Sequence, residues 1–313
     1  MLEVIEALGY VPDSAAQSMA RRSKEAIGLV PMQARSPDTE IEHMGLIFAE
    51  EVQRGVESAL GPLGWSVLIS VRRLAGDEDA YQWLRRMSAK VDGLLITEGF
   101  EPAERLAKLA ARIPVVLIAG SLDAPGPDVV ATDNHAGIAA LVSHLIERHG
   151  RTSLWYVDGP PDAPDAQERR AAFEKAVAQH QGVRLAGHSD GRFAALSGQH
   201  AVREILAAPE APDAIVCAND QTAIGAIREL QAAGRHVPGD ISVTGFDDVY
   251  LGALLSPTLT TVHQPMRRLG QRACSLLLER IADPTLPRRV ERLPTTLVVR
   301  ESCGCPAGSI SRE

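Results

Sequence analysis

Long apolar stretches are missing from this chain of 313 residues. No run reaches the roughly eighteen uninterrupted apolar residues that a membrane-crossing helix needs, and the first residues lack the basic start, apolar run and small-residue cleavage site of a secretory signal. The sequence therefore predicts a cytoplasmic protein with no membrane partner. No glycine-rich phosphate loop follows any predicted strand, so neither a dinucleotide fingerprint nor a P-loop is expected. A G-x-S-x-G elbow and an H-E-x-x-H motif are absent too, and the nine histidines are scattered with no pair read at metal-ligand spacing. Asp247 and Asp248 are adjacent, and neighbours in sequence usually point apart, so they are not read as a catalytic pair. The expectation is a protein that is not an enzyme, with no cofactor and no metal.

Cysteine and aromatic residues are also sparse. Of four cysteines, Cys217 and Cys274 lie in apolar runs and read as small core residues. Cys303-Gly304-Cys305 has neither zinc-motif nor thioredoxin spacing. With only five phenylalanines and three tryptophans in the chain, an aromatic in a polar loop stands out. Phe193, in Asp190-Gly191-Arg192-Phe193, is such a residue and offers a stacking platform for a ring. Excess basic charge is lacking as well: the net charge of −8 argues against coating nucleic acid nonspecifically, since phosphate neutralisation drives such binding. Any DNA contact must be local, and Arg21, Arg22 and Lys24 form the one suitable basic cluster.

What is present is an apolar content of 45%, enough for two domains of ordinary size. From Ile27 onward, short β-branched runs alternate with helix-length amphipathic segments. Ile27–Val30, Val67–Ile69, Gly93–Thr97 and Val115–Ile118 read as buried strands, with helices near 40–60, 77–90 and 102–112. A second series runs through Leu154–Val157, Val183–Leu185, Ala214–Cys217 and Ile241–Thr244, with helices near 166–181, 194–208 and 220–233. Between them Ile138, Leu141, Val142 and Leu145 follow the spacing of one helix face, capped by Asp133-Asn134. Leu269, Ala273, Leu276, Leu277 and Ile281 mark another helix, followed by a strand at Thr296–Arg300. Such alternation predicts an α/β protein with parallel sheets covered on both faces. The polar tail after Cys305 is expected to be disordered.

Ligands of open α/β sheets sit at strand ends. Asp220 directly follows the strand at Ala214–Cys217, where a carboxylate can accept hydroxyl hydrogen bonds or serve as a helix cap. Arg169, on the helix after Val157, offers a fork of donors. At the other end of the chain, Leu8-Gly9-Tyr10-Val11-Pro12 reads as a helix stop, and Asp13 and Ser14 can cap a short new helix ending in basic residues.

This start, together with Cys217-Ala218-Asn219-Asp220-Gln221-Thr222-Ala223-Ile224-Gly225-Ala226, Val237-Pro238-Gly239-Asp240-Ile241-Ser242-Val243-Thr244-Gly245-Phe246-Asp247-Asp248 and Leu259-Thr260-Thr261-Val262-His263-Gln264-Pro265, resembles the LacI/GalR family of transcription regulators. Val299-Arg300-Glu301-Ser302 is similar to the family's last strand. The resemblance implies a two-lobed periplasmic-binding-protein-like fold with three crossovers, near 148, 264 and 290. Residues 27–148 and 264–290 then form the N-terminal subdomain, and 149–263 and 291–302 the C-terminal one. A headpiece remnant and hinge helix occupy 1–26 and a tail 303–313.

By the same resemblance, Arg169 and Asp220 hydrogen-bond an effector, Phe193 stacks on it, and Phe48 and Thr97 line the cleft from the N-terminal subdomain. Gly120 stands where the purine-responsive repressor has an aromatic residue, which points to a sugar or related polyol rather than a purine. Ala16, Gln17, Met19, Arg21 and Arg22 fall in the hinge segment that enters the DNA minor groove, with Met19 as the apolar wedge. A helix of about ten residues does not persist alone in water, so this one forms only against DNA and a second copy. The implied protein is an effector-responsive repressor that acts on operator DNA as a homodimer or larger assembly.

Leu2 to Tyr10 corresponds to the end of the headpiece's third helix, so the helix-turn-helix is expected to be absent from this chain. A start codon placed too far downstream, or true loss of the headpiece, would each explain that, and the first is preferred. The rival readings are a sugar-binding protein of transport, which shares the fold but requires export, and an α/β enzyme, for which no nucleophile–base pair or cofactor loop is found.

Overall fold

Alternating apolar residues of the first strands divide between two cores, and that division builds the first lobe. In the computed structural model, which describes residues 23–31, 46–70, 80–97, 102–306 and 311–312, Ile27 and Leu29 of β1 (Ala26–Val30) pack with one core, and Val30 faces the other. The same two-residue period puts Leu95 of β3 (Gly93–Thr97) on the first side and Leu94 and Ile96 on the second, as a strand buried on both faces requires. With β2 (Ser66–Ile69), β4 (Val115–Ile118), β5 (Asp128–Thr132) and β11 (Val290–Leu293), these strands make a six-stranded sheet in the order β11-β5-β4-β3-β1-β2, parallel throughout.

Helices α1 (Leu46–Leu60), α2 (Ala80–Ser88), α3 (Ala103–Ala110) and α8 (Met266–Ala282) belong to this lobe. α1 and α8 approach closely because glycines face each other's backbones. A Cβ on Gly55 would stand 2.0 Å from the Arg267 carbonyl oxygen, and one on Gly270 2.1 Å from that of Val52.

The second lobe has a parallel sheet of β6 (Ser153–Val157), β7 (Arg184–Ser189), β8 (Ala214–Cys217) and β9 (Ser242–Thr244), ordered β7-β6-β8-β9. Helices α4 (Asn134–His149) and α5 (Pro164–Gln179) pack on one face and α6 (Ala195–Ala207) and α7 (Asp220–Ala232) on the other. A small antiparallel sheet of β10 (Thr261–His263), β12 (Thr296–Val299) and β13 (Ser311–Arg312) extends it. Asp133 caps α4 by accepting from the Ala136 amide at 3.0 Å, and Gly150, with φ 63°, ends it in the left-handed conformation that glycine adopts without strain.

Three boundaries differ from the sequence reading. The chain leaves the first lobe at Asp133, not near 148: Ile138, Leu141, Val142 and Leu145 of α4 pack with the second lobe's Leu154, Tyr156 and Phe173. It leaves again at Pro294-Thr295 rather than near 290, because β11 still pairs with β5 in the first sheet. β11 goes unrecognised in the sequence because its residues are half exposed at the sheet edge. The tail is also corrected, since Ser311–Arg312 pair with β12, whose edge leaves backbone groups available to a further strand.

Candidate functional site

The carboxyl ends of β6, β8 and β9 converge where the chain crosses between lobes, the place an open sheet offers a ligand. Arg169, on α5, is only 2% exposed. Its Nε donates to the Asn134 Oδ1 at 2.9 Å and one terminal nitrogen to the Ala218 carbonyl at 2.8 Å. Two carboxylates flank the guanidinium, Asp165 at 3.6 Å and Asp247 at 3.7 Å. Its planar face lies over the rings of Phe246, 3.8 Å to the centroid, and Phe193, 5.7 Å. A buried cation is costly unless paired, and here carboxylates, carbonyls and two rings hold it.

Phe193 follows β7, at φ 58°, an uncommon conformation for a side chain of this bulk. Its ring packs against Gly159, where a Cβ would come within 2.4 Å, so the loop after β6 is shaped to receive it. Asn219, the cap of α7, accepts from the Thr222 amide at 3.0 Å and donates to the Phe193 carbonyl at 3.2 Å. The amide side chain thereby joins the loop after β8 to the loop carrying Phe193.

Asp220, read by resemblance as an effector ligand, spends its carboxylate inside the lobe. It is fully buried, with one carboxylate oxygen accepting from the Thr261 hydroxyl at 2.5 Å and the other from the Val249 amide at 2.8 Å. Burial, reinforced by the nearby charge of Asp247, raises its carboxyl well above the usual range. Because Asn219 is the cap, Asp220 is the first helical residue and its side chain turns into the lobe, tying α7 to the segments at Val249 and Thr261.

Asp247, not singled out for binding in the sequence, stands in the ring instead. Its Oδ1 accepts from the Gln264 amide at 2.5 Å. Burial pushes its pKa up to about 7, against the pull of Arg169 and of the Gln264 hydrogen bond. Its neighbour Asp248 points elsewhere, to His263 and Arg300. The signal available in the sequence was the pair's position just after β9; only the backbone, with φ of 126° and 59° at the two residues, decides which of them faces Arg169.

From the first lobe, Thr97 ends β3 and is 4% exposed, its hydroxyl donating to the Val30 carbonyl at 3.3 Å. Phe48 is half-buried against that lobe's core. A polar relay crosses between the lobes: Asp247 to Gln264, then Gln264 Oε1 accepting from the Thr132 hydroxyl at 3.3 Å. Glu168 of α5 also faces Arg292 of β11 at 3.6 Å.

The hinge residues Ala16, Gln17, Met19, Arg21 and Arg22 lie outside the described residues. Lys24, grouped with them in sequence as a DNA-facing cluster, spends its ammonium on the first lobe, donating to the Val91 carbonyl at 2.7 Å. Ser23 and the Lys24 amide both donate to Asp92 at 2.8 Å, so the chain enters β1 anchored to that lobe. Two of the histidines read as scattered and the C-x-C pair, which lacks a metal-motif spacing, turn out to be neighbours in space. The end of α4 and the segment after β12 bring His144, His149, Cys303 and Cys305 together.

Two lobes of parallel sheet joined by three crossings, with buried polar groups ringed at the crossing, define a periplasmic-binding-protein-like ligand sensor. Residues 142–303 match the family described as periplasmic binding protein-like domain. The HTH-type transcriptional repressor PurR of Aliivibrio fischeri strain MJ11 is 34% identical over 310 residues, covering 96% of this chain and 87% of that protein. The ribose operon repressor of Escherichia coli K12 is 29% identical, covering 95% and 88%. Among solved structures, the lac repressor dimer bound to operator and the anti-inducer ONPF aligns with TM-score 0.82 and 26% identity, over 94% of this chain and 99% of that one. The chain belongs to the LacI/GalR family of transcriptional regulators, and its two lobes are the family's ligand-binding sensor. These relatives are regulators, not enzymes. Among the described residues, no helix is long and apolar enough to cross a membrane.

Proposed function

We propose that this regulator is a repressor whose inter-lobe cleft takes a sugar or related polyol, bound through Arg169, Asn219 and Asp247 with Phe193 stacked on its ring. Thr97 and Phe48 close over it from the first lobe. The observation that carries this reading is the pairing of Arg169 and Asp247 beneath an aromatic ring. A guanidinium fork and a carboxylate supply both donors and acceptors, which vicinal hydroxyls satisfy, and one ring face covers the apolar side of a sugar. The regulator CelR, solved with cellobiose and 28% identical to this chain, supports the sugar class.

Effector binding draws the lobes together across the Asp247–Gln264–Thr132 relay. The first lobe carries with it the chain anchored at Asp92, so closure changes the spacing of the two hinge segments in a homodimer. That spacing decides whether Ala16, Gln17, Met19, Arg21 and Arg22 dock in the minor groove of operator DNA. Support for the dimer comes from the lac repressor relative and from exposed apolar side chains available to a second copy, with Tyr250 76% and Leu254 61% exposed.

A second reading, a purine effector, is favoured by the 32–34% identity to PurR proteins. Gly120, which leaves no aromatic after β4, supports the sugar over it. A thermal-shift panel of pentoses, hexoses, disaccharides, polyols and purine bases separates the two, since a ligand bound only by the native state raises the melting temperature. A sugar or polyol is expected to raise it. A shift with purine bases alone would overturn the reading.

A further inference from the structure

Outside the cleft, the second lobe assembles four soft or borderline metal ligands at one point. His144 and His149 lie near the end of α4, and Cys303 and Cys305 on the segment after β12, with His149 and Cys305 separated by 156 residues of sequence. The Nε2 atoms of the two histidines are 3.3 Å apart. Cys303 Sγ is 3.5 Å from His144 Nε2, and Cys305 Sγ is 3.7 Å from His144 Nε2 and 3.4 Å from His149 Nε2. All four ligand atoms lie within 4.8 Å of one another.

Those four distances are four of the six edges of a ligand tetrahedron. A tetrahedral zinc ion with bonds of about 2.05 Å to nitrogen and about 2.3 Å to sulfur sets its ligands about 3.3 Å apart for two nitrogens and about 3.6 Å for nitrogen and sulfur. The four measured separations fall on these values. Histidines five residues apart do not share a helix face; they converge because His149 is the last residue of α4 before the turn at Gly150. Gly304 lets the second cysteine return: its φ is 118°, and a Cβ there would stand 2.9 Å from His149 Nδ1. His144 and Cys303 are buried, and no carboxylate belongs to the group, which disfavours magnesium, calcium and manganese.

We propose that His144, His149, Cys303 and Cys305 form a structural Zn2+ site. Four protein ligands fill the tetrahedron and leave no open position for substrate, so the ion clamps rather than catalyses. Binding releases the two thiol protons to solvent and gives a neutral centre of two thiolates, two imidazoles and one Zn2+. The clamp ties the end of β12 to α4, the helix whose first residue, Asn134, holds Arg169. Zinc occupancy therefore braces the sensor lobe from the side opposite its cleft-facing end.

The test uses the full chain, stripped of metal and kept reduced, titrated with Co2+ and then Zn2+. One Co2+ per chain is expected, with the intense visible bands of tetrahedral cobalt and a thiolate charge-transfer band in the near ultraviolet, both lost on adding Zn2+. His149→Gln and Cys305→Ser, at half-buried positions, are each expected to lower Zn2+ affinity at least about tenfold and to remove the rise in melting temperature that Zn2+ gives the parent chain. Circular dichroism checks that both variants stay folded, and Gly304→Ala supplies an independent variant that moves the segment without removing a ligand. Weak octahedral cobalt spectra, substoichiometric zinc, or affinity unchanged in both ligand variants would overturn the proposal.

Discussion

The two lobes share one architecture and put different chemistry at their strand ends. At the crossing, the second lobe carries a buried cation, two flanking carboxylates, a capping amide and two aromatic rings, interlocked by short contacts. The first lobe brings Thr97, bonded back to its own β1, and Phe48, leaning on its own core. Its densest ionic cluster lies away from this ring: Arg280 and Arg289 pair with the buried Asp128 and fasten α8 and β11 to β5. Polar groups held in fixed positions discriminate among ligands, whereas a wall of satisfied groups can only cover them. On the proposed reading, recognition falls to the second lobe and closure to the first.

Arg169→Ala should show the largest effect. The substitution leaves Asp165 and Asp247 buried without their cation and Asn134 without its donor, and breaking a buried pair in this way costs about 3–5 kcal/mol. Urea unfolding should record that loss, along with loss of the effector-induced thermal shift. Stability within about 1 kcal/mol of the parent would mean that the ring does not hold the lobe together.

Asp220→Ala comes next and divides structure from recognition inside the second lobe. It strands the Thr261 hydroxyl and the Val249 amide, at about 1–3 kcal/mol for each buried group left unsatisfied. Effector affinity of the folded fraction, measured by calorimetry, should stay within about threefold of the parent, or about 0.7 kcal/mol. A tenfold weakening without destabilisation would restore Asp220 to the site.

That pair of acids shows where reading from sequence reaches its limit. Short β-branched runs, apolar on both faces, made β1, β3, β4, β6 and β8 legible, and the spacing of Ile138, Leu141 and Val142 marked α4, because burial leaves its trace in residue type and period. Arg169 and Phe193 stood out by residue type and by position after strands. The choice between Asp220 and Asp247 left no such trace. It depends on a cap at Asn219 that turns one carboxylate inward, and on left-handed backbone at Asp247 and Asp248 that turns one acid to Arg169 and the other to Arg300. β11 and the His–Cys group share that character, since their partners come from distant segments that only the crossovers bring together.

Asp247→Asn should weaken effector binding at least about tenfold, as expected for loss of a charge-assisted hydrogen bond of about 1.5–3 kcal/mol, while changing stability little. The parent protein supplies an internal check through pH. With its pKa raised to about 7, Asp247 holds its proton in the folded state where an unfolded carboxyl has lost it. The stability this confers on the unliganded protein is present below the usual carboxylate range and is lost as pH rises through about 7. A hydroxyl donor prefers the ionised form, so effector affinity should rise about tenfold between pH 6 and pH 8. Asp165, also raised by burial, titrates beside the same guanidinium, which makes the variant essential: Asp247→Asn should flatten the profile, and a slope unchanged in it would assign the proton to Asp165.

The smallest effect is expected from the opposite wall. Thr97→Val keeps the shape of the side chain and removes a hydroxyl that donates to Val30 within the first lobe. If that lobe only covers the effector, affinity should change by less than about threefold, or about 0.7 kcal/mol, and the thermal-shift panel should keep its rank order. A change of selectivity among sugars would break the division of labour, because it would require Thr97 to give up its backbone partner and hydrogen-bond the ligand once the lobes close. The same calorimetric series on Asp247→Asn and Thr97→Val thus decides whether one lobe or both read the effector.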